Sequence, residues 1–179
     1  ISKKSLRCGI VKPSQLSIQV QTKQRTIDQV RIVPRRGFYC VEVVYTVTPE
    51  PKKLDFALFA GVDVGVNILA SVTSNKPGFV PVLVNGRPLK STNQFYNKAK
   101  AKAQHLLTGD QRTSHRMDRL STRRNRRIKH YLHVASRRII DLLVAEGIGT
   151  LVIGKNANWK QGSNLGRRNN QQFVSIPHA

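Results

Sequence analysis

A short apolar run interrupted by one carboxylate is the feature that most constrains the fold of this chain. Residues 57–67 have the sequence ALFAGVDVGVN, in which glycines bound the apolar residues. Such a run predicts a strand buried on both faces, although the pattern alone does not distinguish it from a turn of buried helix. Burying the ionised Asp63 among valines costs several kcal/mol unless a cation or hydrogen-bond donors compensate it. We therefore expect Asp63 to face a metal, a donor or a cleft, or else to cap the turn that follows the strand.

The charge of the chain indicates the chemistry of its partner. Lys and Arg number 31 against nine Asp and Glu, which gives the 179 residues a formal net charge of +22. A positive charge this large indicates a polyanionic partner such as nucleic acid. A membrane surface would also match the charge, but no apolar stretch approaches the ~18 residues that a spanning helix needs. With no evident signal peptide, we expect a soluble protein of the cytoplasm without a membrane partner.

Two regions of different pattern indicate two domains. In residues 1–56 apolar and polar residues alternate as in strands, which predicts a small antiparallel β module whose longer strand covers about residues 39–47. The two prolines in residues 48–53 predict a linker, because proline cannot join a central ladder. Residues 57–179 then combine strands with long helices, which predicts an α/β domain. Its strands are expected at about 58–63, 67–73, 78–84 and 150–153. The Asn85-Gly86 dipeptide predicts a tight turn after the third strand, and a first helical segment is predicted from about Ser91.

A long helix predicted over about residues 114–146 carries two patterns. Apolar residues recur every three or four positions between Ile128 and Leu143, which predicts a face that packs on the sheet. Arginines recur at the same spacing, with only Asp118 to compensate them, and so many like charges repel each other unless phosphates lie beside them. We expect the arginines to follow a nucleic-acid backbone, with a solvated face as the alternative. The predicted nucleic-acid-binding arginines are Arg112, Arg116, Arg119, Arg123, Arg124, Arg126 and Arg127.

The loop after the last predicted strand is a second candidate contact with nucleic acid. A loop that leaves the carboxyl end of a strand opens on the crevice where α/β sheets bind ligands. Lys155 and Lys160 are expected to bind phosphates. Trp159 is expected to stack on a base, and the alternative is that it anchors the core.

Several other kinds of site are not supported by the sequence. Cys8 and Cys40 are the only cysteines and have no CxxC spacing, which excludes a zinc ribbon made by this chain. His130 and His133 lie three residues apart on the predicted helix, but no partner follows at ligand spacing. No serine occupies a strand-to-helix elbow of the GxSxG kind, so Ser-His-Asp catalysis is not indicated.

The order of these stretches resembles that of the TnpB (OrfB) family of transposon-encoded proteins. GVDVGVN and ILASVTS are similar to the first motif and second strand of the family's RuvC-type nuclease domain. VNGRPLKSTNQFYNKAKA, RRNRRIKHYLHVASRRIIDLL and GTLVIGKNANWKQ continue the resemblance in order. The resemblance implies an RNase H-like mixed sheet with long helices over residues 57–179, and residues 1–56 resemble the β module beside it that helps to hold guide RNA.

The activity implied by the resemblance is RNA-guided, magnesium-dependent cleavage of DNA associated with transposition. In that family a first-strand aspartate binds the catalytic magnesium, and Asp63 occupies its place. DNA and guide RNA are the implied partners. A first residue other than Met and an end at Ala179 without a helix cap also lead us to expect a segment of a longer protein.

The chain departs from the family pattern at the expected second metal ligand. Most of the family has a glutamate at the end of the strand beside the first one, where this chain has Gly154. The third carboxylate belongs to a later motif, and Asp141 and Glu146 are expected to be structural. Two hypotheses stay open: the full protein supplies its other carboxylates from elsewhere, or it is a nuclease-inactive relic or regulator that binds without cutting. A ribosomal-type RNA-binding protein is a third, which the Asp63 strand does not explain.

Overall fold

The structure is a computed structural model that describes residues 6–12, 18–24, 26–35 and 37–154. The chain divides into two compact units between Pro51 and Lys52. In the described part of the chain the strands are β1 (Ile10–Val11), β2 (Val20–Gln21), β3 (Gln29–Arg35), β4 (Phe38–Val44), β5 (Asp55–Val64), β6 (Ile68–Ser74), β7 (Val82–Asn85) and β8 (Ile148–Ile153). The two long helices are α1 (Arg87–His105) and α2 (His115–Ala145).

The N-terminal unit contains two antiparallel pairs of strands. β1 pairs with β2, and β3 pairs with β4 along its whole length. Strand β4 ends at Val44, short of the predicted end near Val47, because Asp28 closes the ladder there. The Asp28 N–H donates to the carbonyl of Val44, and its carboxylate accepts a hydrogen bond from the Thr46 hydroxyl at 2.7 Å.

The C-terminal unit is built on a four-stranded sheet with the order β7-β6-β5-β8. β5 and β6 pair antiparallel, as do β6 and β7, whereas β8 pairs parallel to β5. A parallel neighbour requires a crossover connection, and here both helices lie between β7 and β8 in the chain. The predicted mixed α/β architecture with long helices is therefore confirmed.

One face of this sheet packs against α2. Ala60, Val62 and Val72 of the sheet are buried against Leu143 of the helix, with Ile139 packed beside them. A second buried cluster comprises Leu69, Leu89, Ile128 and Ala135, and it joins the start of α1 and the middle of α2 to β6. The predicted apolar face of the long helix is thus the face that forms the core.

The other face of the sheet is open within residues 37–154, so the prediction that the Asp63 strand is buried on both faces is wrong for this part of the chain. Phe59 is 49% exposed, Leu83 is 64% exposed and Val152 is 54% exposed. Asp63 is also exposed. Apolar residues on both faces of β5 gave the run the composition of a fully buried strand, although α2 covers only one face.

The ends of the helices follow from local hydrogen bonds. The Ser114 side chain accepts from the N–H of Met117 and caps α2, while Gly147 adopts a positive φ of 71° just beyond its end. Helix α1 begins at Arg87, earlier than the helical segment predicted from about Ser91. The Asn85 side-chain oxygen accepts from the N–H of Arg87 at 3.0 Å, so residues 85 and 86 start a helix instead of forming a hairpin turn. Within the described ranges no helix has the length and apolar character needed to cross a membrane.

Candidate functional site

Asp63 lies near the carboxyl end of β5, on the open face of the sheet. It is exposed, and its register partner on β6 is Ser71. Within residues 6–154 as described, its carboxylate has no hydrogen bond or ion pair. The burial that led us to expect a compensating cation is therefore absent from this part of the chain, and a role for Asp63 in metal binding stays a prediction.

Gly154 lies directly beside Asp63 on the neighbouring strand. Val62 and Ile153 are register partners in the parallel β5–β8 pair, and the N–H of Gly154 donates to the carbonyl of Val62 at 3.2 Å. Register partners on neighbouring strands project on the same face of the sheet, and successive pairs alternate between the two faces. A side chain at position 154, the next position after Ile153, would therefore project on the same face as Asp63. A Cβ atom there would meet nothing closer than the Val62 oxygen at 3.9 Å. The position is sterically open, but it carries no ligand atom.

These residues do not fit magnesium by themselves. Mg²⁺ prefers oxygen ligands, and a two-metal site needs several carboxylates. Nowhere in the described ranges do three His, Cys, Asp or Glu side chains come together in a group able to hold a metal. Asp63 would supply one carboxylate, and Gly154 supplies none.

The two other carboxylates considered from the sequence are engaged in ion pairs elsewhere. Asp141 pairs with Arg137 at 2.9 Å, one turn away on α2. Glu146 pairs with the Lys76 ammonium at 2.6 Å, and Lys76 also donates to the Glu146 carbonyl at 2.9 Å. The Lys76 bridge joins the end of β6 to the end of α2, which gives Glu146 a structural role.

Five of the seven predicted arginines form an exposed row on α2. Its members recur at three- and four-residue spacing on the side away from the buried Ile128 and Ala135. Between the first and the last of them the helix rises ~16 Å at 1.5 Å per residue. We call this set the arginine row, and its members are Arg116, Arg119, Arg123, Arg126 and Arg127. Arg112 is exposed as well, but it lies in the segment before the helix begins.

Arg124 is placed differently from the arginine row, because it points between the two helices. Its Nε donates to the Asn93 side-chain oxygen at 2.7 Å, and its guanidinium lies 5.6 Å from the centre of the Tyr96 ring. Burial lowers the pKa of Arg124 from its ordinary value, and the neighbouring Tyr96 partly offsets that shift. Asn93 is only 4% exposed, so the bond from Arg124 satisfies a buried amide. Arg124 therefore anchors α1 to α2, a role that its position in the arginine pattern does not reveal.

The remaining predicted contacts, Lys155, Trp159 and Lys160, lie outside the described residues. The aromatic side chains that the structure does place beside the arginine row were missed from the sequence. Phe95 and Tyr96 of α1 lie with Arg123, Arg124 and Arg127 around one shallow cleft. Two adjacent aromatic residues within a lysine-rich helical segment were the available signal, since interleaved aromatic and basic residues are typical of nucleic-acid-binding surfaces.

A comparison with protein families identifies the family to which the chain is similar. The OrfB_IS605 family model, which describes a probable transposase, matches residues 42–160, about two thirds of the chain. This match includes the Asp63 strand, both helices and Gly154. No curated protein matches the chain.

Proposed function

Because the chain belongs to the OrfB_IS605 family of probable transposases, we propose that it is a transposon-encoded nucleic-acid-binding protein that acts in the cytoplasm. The family assignment confirms the resemblance to TnpB/OrfB proteins. On that basis the protein is proposed to work in RNA-guided, magnesium-dependent cleavage of DNA, with guide RNA and target DNA as its partners. The order β7-β6-β5-β8, with a parallel β8 reached by a helical crossover, supports an RNase H-like domain of the RuvC type.

The arginine row on α2 is the observation that carries the nucleic-acid part of this proposal. One strand of duplex DNA presents a regular series of phosphates, so a row ~16 Å long can contact several neighbouring phosphates in succession. Guanidinium groups bind phosphate through two parallel hydrogen bonds. The row can therefore hold a single stretch of backbone without reading its sequence, as expected where base pairing with a guide supplies the specificity.

Cleavage requires more than the described residues contain. The exposed Asp63 offers one carboxylate at the end of β5, next to the empty position at Gly154. An active nuclease would need further carboxylates from residues outside 6–154 to complete a magnesium site. Asp63 is proposed as the ligand that this chain contributes from its sheet.

Gly154 favours a second candidate function, a nuclease-inactive protein that binds DNA and RNA as a relic or regulator. The glycine leaves a sterically open gap beside Asp63, where a glutamate would complete a pair of carboxylates. The arginine row would keep its function in such a protein, because phosphate binding does not depend on the metal site.

A cleavage assay on the full-length protein with its transposon-end RNA and Mg²⁺ separates the two candidates. Asp63→Ala and Asp63→Asn are expected to abolish cutting while leaving binding of RNA and DNA intact. Asp141→Ala is the matched control, since it removes an exposed carboxylate that pairs with Arg137, and it should cut like the wild type. Cutting that survives Asp63→Ala would refute the proposed role of Asp63 as a ligand of the catalytic magnesium. Binding by wild type and variants without any cutting would establish the second candidate.

A further inference from the structure

Phe95 carries an exposed aromatic ring in the middle of α1, although residues beside it in the helix pack against α2. Its side chain is 63% exposed, whereas the adjacent Tyr96 is partly buried between α1 and α2. A single exposed apolar residue is common on protein surfaces and needs no explanation by itself. Here the ring lies beside a cleft whose other wall carries arginines, and that combination points to a ligand.

The cleft lies between the two helices and is lined by aromatic and basic side chains. α1 contributes Thr92, Phe95 and Tyr96, and α2 contributes Leu120, Arg123, Arg124 and Arg127. Its enclosed volume is about 20 Å³, room for a single water molecule. A nucleobase cannot enter so small a space, so a base would have to lie across the exposed Phe95 ring at the rim.

The inner wall of the cleft is held in place by hydrogen bonds. The Tyr96 hydroxyl lies 3.0 Å from the Ser121 hydroxyl, which in turn donates to the carbonyl of Met117 at 2.9 Å. Arg124 is fixed by its bond to Asn93 and by the Tyr96 ring. A wall that is already ordered loses little conformational freedom when a ligand binds.

Two arginines at the rim are available to an anion. Arg123 and Arg127 are exposed, and neither forms an ion pair within the described part of the chain. No carboxylate is among the lining residues that the structure describes. An apolar protein side chain would leave this positive charge uncompensated, whereas a nucleotide brings a flat ring and a phosphate together.

We propose that Phe95, Arg123 and Arg127 form a subsite for an unpaired nucleotide, in which the base stacks on the Phe95 ring and the arginines bind the flanking phosphates. Bases within a duplex hide their faces in the stack, so the subsite takes single-stranded RNA or DNA. It rests on the proposed nucleic-acid binding and adds a preference for single strands that the arginine row alone would not have.

The test is the affinity of the 179-residue chain for a fluorescent single-stranded oligonucleotide, as RNA and as DNA, and for the matching duplex. Stacking of one base contributes ~1–3 kcal/mol, so Phe95→Ala should weaken single-strand binding by ~5- to 150-fold. Duplex affinity and the salt dependence should not change, because no charge is removed. Phe95→Tyr keeps the aromatic face and should bind like the wild type, whereas Phe95→Leu, which keeps only the apolar bulk, should bind like Phe95→Ala.

Phe56→Ala is the matched control, because Phe56 is 76% exposed but lies at the start of β5 and not at the cleft. It should leave single-strand affinity unchanged. Wild-type affinity in Phe95→Ala, equal losses for single strand and duplex, or full affinity in Phe95→Leu would each overturn the subsite. A wild type that binds no nucleic acid would instead refute the proposed function on which the subsite rests. Comparison of RNA with DNA identifies which single strand is preferred.

Discussion

Removing two members of the arginine row should change the salt dependence of DNA binding by a calculable amount. Arg116 and Arg119 are exposed and lie three residues apart in the first turns of α2. Their Cβ atoms are ~5–6 Å apart, far enough for the guanidinium groups to bind different phosphates. The double substitution Arg116→Ala, Arg119→Ala leaves the cleft beside Phe95 and the anchor Arg124 untouched.

The expected magnitude follows from counterion release. Each phosphate that a protein neutralises adds ~0.9 to the slope of log K against log salt concentration for duplex DNA. Loss of two contacts should therefore lower the slope by ~1.8. The contribution of counterion release to the affinity vanishes at 1 M salt. At 0.15 M salt, the two contacts therefore account for about a 30-fold difference in affinity.

The assay is fluorescence anisotropy of a labelled duplex titrated at several salt concentrations. A control variant, Lys53→Ala with Arg87→Ala, removes the same charge from exposed positions away from Arg116 and Arg119. Arg87 starts α1, at the end of that helix remote from the start of α2. The control should keep the wild-type slope within ~0.9, since at most one phosphate contact is expected to involve these positions. An unchanged slope in the Arg116, Arg119 variant, or an equal drop in the control, would refute the proposed role of the row.

Three further predictions concern the residues that shape the C-terminal unit. A Cβ at position 86 would clash with the Val66 carbonyl oxygen, so Gly86→Ala should lower the free energy of unfolding by about 1–3 kcal/mol in urea titrations. Gly61→Ala, whose new Cβ would meet nothing within 4 Å, should change the free energy of unfolding little. Arg124→Ala removes the hydrogen bond that Arg124 donates to the buried Asn93 and should cost about 1–3 kcal/mol of unfolding free energy. Arg123→Ala, at an exposed neighbouring position, should cost less than ~0.5 kcal/mol, as measured from urea midpoints. Gly154→Glu should not lower the thermal stability, because a Cβ at position 154 has room. The new carboxylate would lie beside Asp63 and should strengthen Mn²⁺ binding in a calorimetric titration. If Mn²⁺ binding stays equally strong after Asp63→Ala is added, the assigned geometry is wrong.

Elements with a local signal at both ends were predictable from the sequence. Helix α2 occupies residues 115–145 against a prediction of about 114–146, because Ser114 supplies a cap and Gly147 ends the helix. The start of α1 was missed because Asn85 and Gly86 favour a hairpin turn in a sequence, whereas here the Asn85 side chain bonds to the first N–H of the helix. The sequence around Asn85 and Gly86 is compatible with both a hairpin turn and the start of a helix. The packing of the following helix, α1, determines which of the two forms.

The candidate site was less predictable, since it depends on contacts between residues distant in sequence. The exposure of Asp63 depends on which face of the sheet α2 covers, and an apolar run gives no information about that choice. Arg124 fits the arginine spacing as well as its neighbours do, but its role follows from Asn93, which lies 31 residues earlier. The importance of Phe95 likewise appears only when α1 and α2 are brought side by side.

The parallel pairing of β8 with β5 also imposes an order on folding. β5, β6 and β7 follow each other closely in the chain and can pair through short loops. Ala60 of β5, in contrast, can pair with Leu151 only after β8 has been synthesised. Contacts between such distant residues form slowly, because the entropy of closing the intervening chain opposes them. During synthesis the edge of β5 therefore stays unpaired until both helices have left the ribosome. The unpaired backbone groups at that edge, on a strand that carries Phe59 and other apolar residues, make the nascent chain most prone to aggregation in this interval.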